Sequence, residues 1–283
     1  MVQSKQRILV GLAAVICVVS TVPANAQVLE GIRSAVRTPN PSEEPATSRR
    51  DDSDYECDDD DSIVEELFGG LVVGIATSPY WGMRMLVDDE GYGPPAFDGI
   101  PYAWHAESPW LVQGQNPERL WAWSSQLSLD YIGDFDDLSA IGGRLLIETN
   151  SRFGLDTTFR FYDENTIFGT PDELTIGDAN IVYRFAQSER LRMRSGVGFS
   201  WMNDDAGSNF GFNFTYGGDW FPVNSWIVST DLDFGRLGNA GLFHLRATVG
   251  RQFYQAEIYA GYDLLRVRDT TADGLIVGLR WWF

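Results

Sequence analysis

Gly274-Leu-Ile-Val-Gly-Leu-Arg-Trp-Trp-Phe283 closes the chain. Read back two residues at a time, Phe283, Trp281, Leu279, Val277 and Leu275 are all large and apolar. The residues between them, Trp282, Arg280, Gly278, Ile276 and Gly274, are small or polar except for Trp282 and Ile276. A period of two sustained over about ten residues is a strand with one apolar face and one wetter face.

Working outward, the same alternation recurs from Leu120 to the end and predicts about ten strands. The apolar face of successive strands runs through Trp123–Tyr131, Ile141–Ile147, Phe153–Phe161, Gly177–Phe185, Leu191–Trp201, Phe210–Tyr216, Trp226–Phe234, Phe243–Val249 and Ile258–Leu264. The opposite face carries Gln126, Asp130, Arg144, Glu148, Asp156, Arg160, Asp178, Arg184, Arg192, Arg194, Asn213, Asp231, Asp233, His244, Arg246, Glu257, Asp263 and Arg280. Two further signals separate a membrane barrel from a soluble sandwich. Trp121, Trp123, Phe185, Trp220, Phe221, Trp226, Phe253, Tyr254, Trp281 and Phe283 fall at one end of their strands, the placement of an interfacial girdle. The connections are expected to alternate, longer on one rim and tight on the other.

The amino terminus predicts export. Lys5 and Arg7 precede the apolar run Ile8–Val19, and Ala24-Asn25-Ala26 stands before Gln27, so cleavage is expected between Ala26 and Gln27. No later stretch reaches the roughly 18 apolar residues of a spanning helix.

The chain has 21 basic and 40 acidic residues, a net charge of −19. Losing Lys5 and Arg7 with the leader leaves 19 against 40, or −21. That charge argues against nucleic acid as a partner. Lys5 is the only lysine, so the mature chain's bases are all Arg, which suits fixed bidentate pairing in a narrow interior. Cys57 is the only cysteine after the leader and is read as inert. Residues 27–62 are Pro/Ser-rich and then acidic through Asp51–Asp61, and are expected to form a disordered tail. Ser62-Ile-Val-Glu65 reads as a capping box opening a helix to about Thr77, followed by irregular aromatic sequence to 118 that would plug the barrel or brace its periplasmic rim.

Residues 119–283 therefore resemble a small bacterial outer-membrane β-barrel, an all-β antiparallel up-and-down fold, and the terminal Phe283, Trp281 and Leu279 resemble its assembly signal. The resemblance is architectural and carries no family motif. It implies the outer membrane as location, with lipid and the barrel-assembly machinery as partners. The expected organisation is 1–26 leader, 27–62 acidic tail, 63–118 helical and irregular segment, and 119–283 barrel.

A ten-strand count invites comparison with the omptin proteases, whose family site pairs Asp with His and Asp with Asp near the outer rim. If Phe234 faces Phe243, then Asp233 faces His244 and Asp231 faces Arg246 on the lumen side. The second Asp pair of that family has no match here. The leading expectation is a closed structural or anchor protein with a salt-bridged lumen, not an enzyme and without cofactor or metal. A narrow porin-like pore for ions or small solutes and an outer-rim hydrolase using Asp233 and His244 are the alternatives.

Overall fold

A computed structural model describes residues 28–39, 122–134, 138–165, 171–188, 190–222 and 225–283, with short pieces at 96–97, 101–102 and 111–112. Helix α1 spans Val28–Arg37. Strands β1 (Ala96–Phe97) and β2 (Leu111–Val112) pair with each other. The barrel strands are β3 Trp123–Gly133, β4 Leu138–Thr149, β5 Phe153–Asn165, β6 Pro171–Gln187, β7 Leu191–Asp204, β8 Gly207–Trp220, β9 Trp226–Leu237, β10 Ala240–Phe253, β11 Ala256–Val267 and β12 Thr270–Trp282. Each pairs antiparallel with its neighbours in sequence, and β12 pairs back onto β3, which closes the barrel at ten strands. Closure leaves no unpaired edge.

The seam between β12 and β3 runs from Leu275 opposite Gly133 to Trp282 opposite Gln126. The chain terminus extends it. Ser125 donates its N–H to the Phe283 carbonyl at 3.0 Å, and Phe283 donates to the Ser125 carbonyl at 2.9 Å. Deleting Phe283 removes both bonds and an outward ring, so the yield of heat-modifiable, membrane-inserted barrel is expected to fall far more than synthesis does. Equal yields from both chains would contradict this.

Period two separates the faces as their chemistry demands. Outward-facing Leu129, Tyr131, Ile141, Leu155, Ile181, Val197, Phe212, Ile258 and Val277 are 44–65 % exposed and come from strands all around the barrel. A continuous apolar belt of this extent is far larger than a water-soluble surface carries, and hydrocarbon is the medium that accepts it. The base, the end holding the first residue of β3 and the last of β12, exposes Trp123, Trp220, Trp226, Phe253, Tyr254 and Phe283. The other end, the mouth, exposes Tyr131, Phe161, Phe210, Phe234 and Tyr262, a second aromatic belt that the sequence reading did not separate.

Two members of the expected girdle are placed differently. Phe185 is buried, because a bulge between Tyr183 and Ala186 adds a residue to β6. Beyond it the parity reverses: Ala186 faces Met193, and Gln187 faces Arg192 on the lumen side. Phe185 packs against Tyr216, ring centroids 5.6 Å apart. Phe221 is buried with Ile227 and Trp282 at the base, where Tyr102 joins the cluster and donates its hydroxyl to the Trp226 carbonyl at 3.1 Å.

The expected contrast in loop length is absent. At the mouth, Asp205–Ala206, Gly238–Asn239 and Arg268–Asp269 are two-residue turns, and 134–137 and 166–170 are little longer. At the base the connections are 150–152, 188–190, 221–225 and 254–255. Strand pairing simply continues past the point where the apolar alternation stops, taking up residues read as loop. The tight base turn is made by Tyr254 at φ 60°.

The expected disordered tail is also corrected at its start. Residues 28–37 form α1, whose Leu29, Ile32, Ala35 and Val36 are buried in the mouth. Their spacing places them on one helical face. Residues 40–62, the helix expected from Ser62 to Thr77 and most of the irregular segment to 118 lie outside the described residues, as does the leader.

Candidate functional site

The lumen is built in three storeys. At the base, Trp282 is fully buried and donates its indole N–H to Glu257 at 3.1 Å. Arg192 and Arg280 lie over its ring at 5.7 and 5.8 Å. It is one of the two exceptions on the wet face of the last strand, and here it floors the barrel.

Above it sits the charged storey. Arg144, Arg160, Arg184, Arg192, Arg194, Arg246 and Arg280 are all buried there together with nine carboxylates: Asp130, Glu148, Asp156, Asp178, Asp219, Asp231, Asp233, Glu257 and Asp263. Desolvating such groups is expensive, so each must find partners. Arg144 forks to Asp156 (2.8 and 2.5 Å) and to Asp231 (2.5 and 3.0 Å). Arg194 joins Asp219 at 2.8 Å and also pairs with Asp231. Arg192 bridges Asp219 and Glu148, and Arg184 approaches Glu148 at 3.3 Å. Arg280 reaches Glu257 at 3.1 Å, and Arg246 reaches Asp130 and the Tyr259 hydroxyl, each at 2.8 Å. Bidentate forks of this kind fix geometry as well as charge. Asp178 is held differently, by the Thr158 hydroxyl and the Asn180 amide.

Of the four residues read from the sequence as a lumen site, the structure joins two. His244 lies opposite Asp233 across the β9–β10 hairpin, with Nδ1 2.8 Å from the carboxylate. Its Nε2 is 3.0 Å from Asp263 and 2.9 Å from Arg160, so both ring nitrogens are occupied. Asp231 and Arg246 are also register partners, but their side chains part. Asp231 goes to Arg144 and Arg194, and Arg246 to Asp130 and Tyr259. His244 is 3 % exposed and lies below the apolar storey, enclosed rather than at an open rim. A general base must reach a substrate proton, and the hydrogen-bond partners of this imidazole among the described residues are Asp233, Asp263 and Arg160. The cavity beside it, lined by Thr158, Asp178, Thr215, Asp233 and His244 among others, measures about 10 Å³, room for about one water. Among the described residues no group of His, Cys, Asp and Glu is arranged to hold a metal ion.

The third storey is apolar. Ile132, Ala140, Tyr162, Leu174, Ile176, Met202, Leu242, Leu265, Ala272 and Ile276 line the mouth and receive the buried face of α1. The inward face, expected to be polar in almost every strand, is apolar in this layer, and Ile276, an exception on the last strand, belongs to it.

Barrel groups satisfy both ends of α1, whose terminal N–H and C=O groups have no partner within the helix. Glu164 accepts from the Val28 and Leu29 N–H groups at 2.8 and 2.9 Å. At the other end Asn239 donates its N–H to the Val36 carbonyl at 2.8 Å, and Arg268 donates to the Thr38 carbonyl at 3.0 Å. Gly238, at φ 55°, makes this approach possible, since a β-carbon there would lie 2.7 Å from the Val36 oxygen. Arg33 forks to Asp172 at 2.6 and 2.5 Å and reaches Asp204 at 2.9 Å. The hydrogen bond that Arg33 donates to Asp172 raises the Arg33 pKa above its ordinary value, against the opposing effect of burial. Replacing fully buried Ile32 by Ala should cost about 2–5 kcal/mol of local stability. Amide hydrogen exchange along α1 checks this, with faster exchange in the helix and an unchanged barrel as the expected result.

Apolar outside, ion-paired inside and closed by its own strands, the chain has the architecture of a small outer-membrane β-barrel. No family model matches it, and no curated protein resembles it in sequence. Solved barrels of similar fold include the N-terminal β-barrel domain of Pseudomonas aeruginosa OprF, at 11 % identity over 56 % of this chain and 97 % of that one, TM-score 0.31. Yersinia pestis outer membrane protein Ail matches at 10 % identity over 56 % of this chain and 99 % of that one, TM-score 0.33. The β domain of the Bordetella autotransporter BrkA matches at 11 % identity over 56 % and 97 %, TM-score 0.31. The fold assignment itself rests on the closed ten-strand ladder.

Proposed function

We propose that the chain is exported, cleaved between Ala26 and Gln27, and inserted into the outer membrane as a closed, non-conducting barrel with a structural or anchoring role in the envelope. The single observation that carries this reading is the paired lumen: seven buried arginines meet seven of the nine buried carboxylates, Asp233 pairs with His244 and Asp178 with Thr158 and Asn180, with a floor at Trp282 and a lid at α1. A conducting pore needs a continuous wet path, and the cavity in the charged storey holds about one water. The enclosed His244 supports a structural rather than a catalytic role for the Asp233–His244 pair. The outward belt supports lipid as the surrounding medium, and the Phe283 seam supports the terminal strand as the part read by the assembly machinery.

Proteoliposome swelling tests the reading. Vesicles holding the purified protein should swell in small sugars and amino acids no faster than lipid alone. Porin-like swelling would overturn it.

A further inference from the structure

We propose that the barrel associates with copies of itself in rows, the β9–β11 flank of one copy docking against the β5–β6 flank of the next. This rests on the outward belt lying in lipid, where insertion from one side gives every copy the same orientation. Among the described residues, the outward ionisable side chains near the mouth are Asp163, Glu173, Arg236, Arg266 and Asp273. Asp273 accepts a hydrogen bond from Tyr262. The other four are sorted by sign: Asp163 and Glu173 stand on β5 and β6, Arg236 and Arg266 on β9 and β11. Between the two flanks lie β7 and β8 on one side and β12, β3 and β4 on the other, so the flanks are nearly opposite.

Each flank has what the other lacks. Asp163 and Glu173 are register partners, and like charges directly opposite destabilise a strand pair unless a cation joins them. Among the described residues no cation bonds either carboxylate. Toward the membrane from them, Tyr131, Ile141 and Phe161, 52, 61 and 54 % exposed, line with Ser139 an outer-wall groove of about 300 Å³. On the far flank Arg266 is exposed in one row with Phe243 and Thr271. Its Nε donates to the Arg268 carbonyl at 3.1 Å, which turns the fork toward the mouth, and its terminal nitrogens have no partner among the described residues. Two carboxylates above an apolar groove are thus matched by an arginine beside a ring. The depths agree as well: Asp163 lies two residues beyond Phe161, and Arg236 two beyond Phe234, both rings of the mouth belt. Because the joined patches differ and lie nearly opposite, the contact is heterologous and copies add in rows rather than closing as a pair.

The test uses the exported protein in lipid vesicles, in a Cys57→Ser background, with Ser139→Cys in the groove and Thr271→Cys beside Arg266. A short bis-maleimide should give a ladder of dimer, trimer and higher bands, and either cysteine alone should leave monomer. Arg266→Glu and Glu173→Arg should each lower the cross-linked fraction about fivefold, the scale of an exposed ion pair turned repulsive. The two reversals in one chain should restore the ladder. A dimer band without a ladder, or a ladder that neither reversal moves, would overturn head-to-tail pairing. Monomer throughout overturns it too, and anionic lipid co-purifying in proportion to Arg266 would then give that face to lipid. Heat-modifiable migration keeps the two readings apart: monomers that remain heat-modifiable overturn the association alone, whereas a parent chain that is not heat-modifiable overturns the barrel reading itself.

Discussion

Replacing Arg144 by Ala is expected to destabilise the barrel by about 3–5 kcal/mol, the cost of removing one partner from a buried ionic cluster. Arg144 holds Asp156 and Asp231 at once, each through two hydrogen bonds. Without it Asp231 keeps Arg194, but Asp156 is left with Arg194 at 3.7 Å. The loss therefore comes mainly from a stranded carboxylate rather than from a missing attraction. It follows that adding Asp156→Asn, which removes the stranded charge, should restore part of the stability. Urea unfolding of the vesicle-inserted protein, followed by tryptophan fluorescence, measures both. Losses that simply add in the double variant would contradict the network.

Leu245→Arg is expected to cost about 2–4 kcal/mol, the value for Arg on the lipid face near mid-membrane, whereas Tyr254→Arg at the base should cost about 0–1 kcal/mol. Leu245 faces out from the interior of β10 between Leu232 and Leu264, and Tyr254 stands 79 % exposed in a turn. The gradient comes from depth in hydrocarbon. Equal costs at the two positions would mean that the outward belt is not in lipid. An Arg at Thr248 is not the mild lumen control that a wet interior would provide, because Thr248 is 2 % exposed within a filled lumen.

Much of the barrel is legible in the sequence because period two is local. The pairing of Asp233 with His244 follows from matching Phe234 to Phe243 across one short hairpin, and the structure has that register. What adjacency cannot reveal is which charges meet across the lumen. Arg144 and Asp231 lie 87 residues apart on strands that are not neighbours, and Arg246 leaves its register partner for Asp130, 116 residues away. The Phe185 bulge was hidden for a related reason: one added residue flips parity without changing composition.

Two misses did leave a signal. Ile132, Ala140, Leu174, Ile176, Met202 and Ile276 all sit at inward parity near the mouth ends of their strands, so a third, apolar storey was written in the alternation itself. Leu29, Ile32 and Val36 carry a helical spacing, but the Pro/Ser-rich and acidic sequence after them dominated the reading of the whole segment. Four apolar residues look too few to order a tail in water; they suffice here because the barrel supplies the rest of the core and both helix caps.

The central claim is that paired charges, and not the helix alone, close this barrel. Planar-bilayer conductance of the full-length protein and of a chain lacking residues 27–38 tests it most directly. No discrete current steps are expected from either, because the ion-paired storey lies beneath α1 and remains when the helix is gone. Steady ohmic steps from the full-length protein, or their appearance on removing the helix, would contradict it.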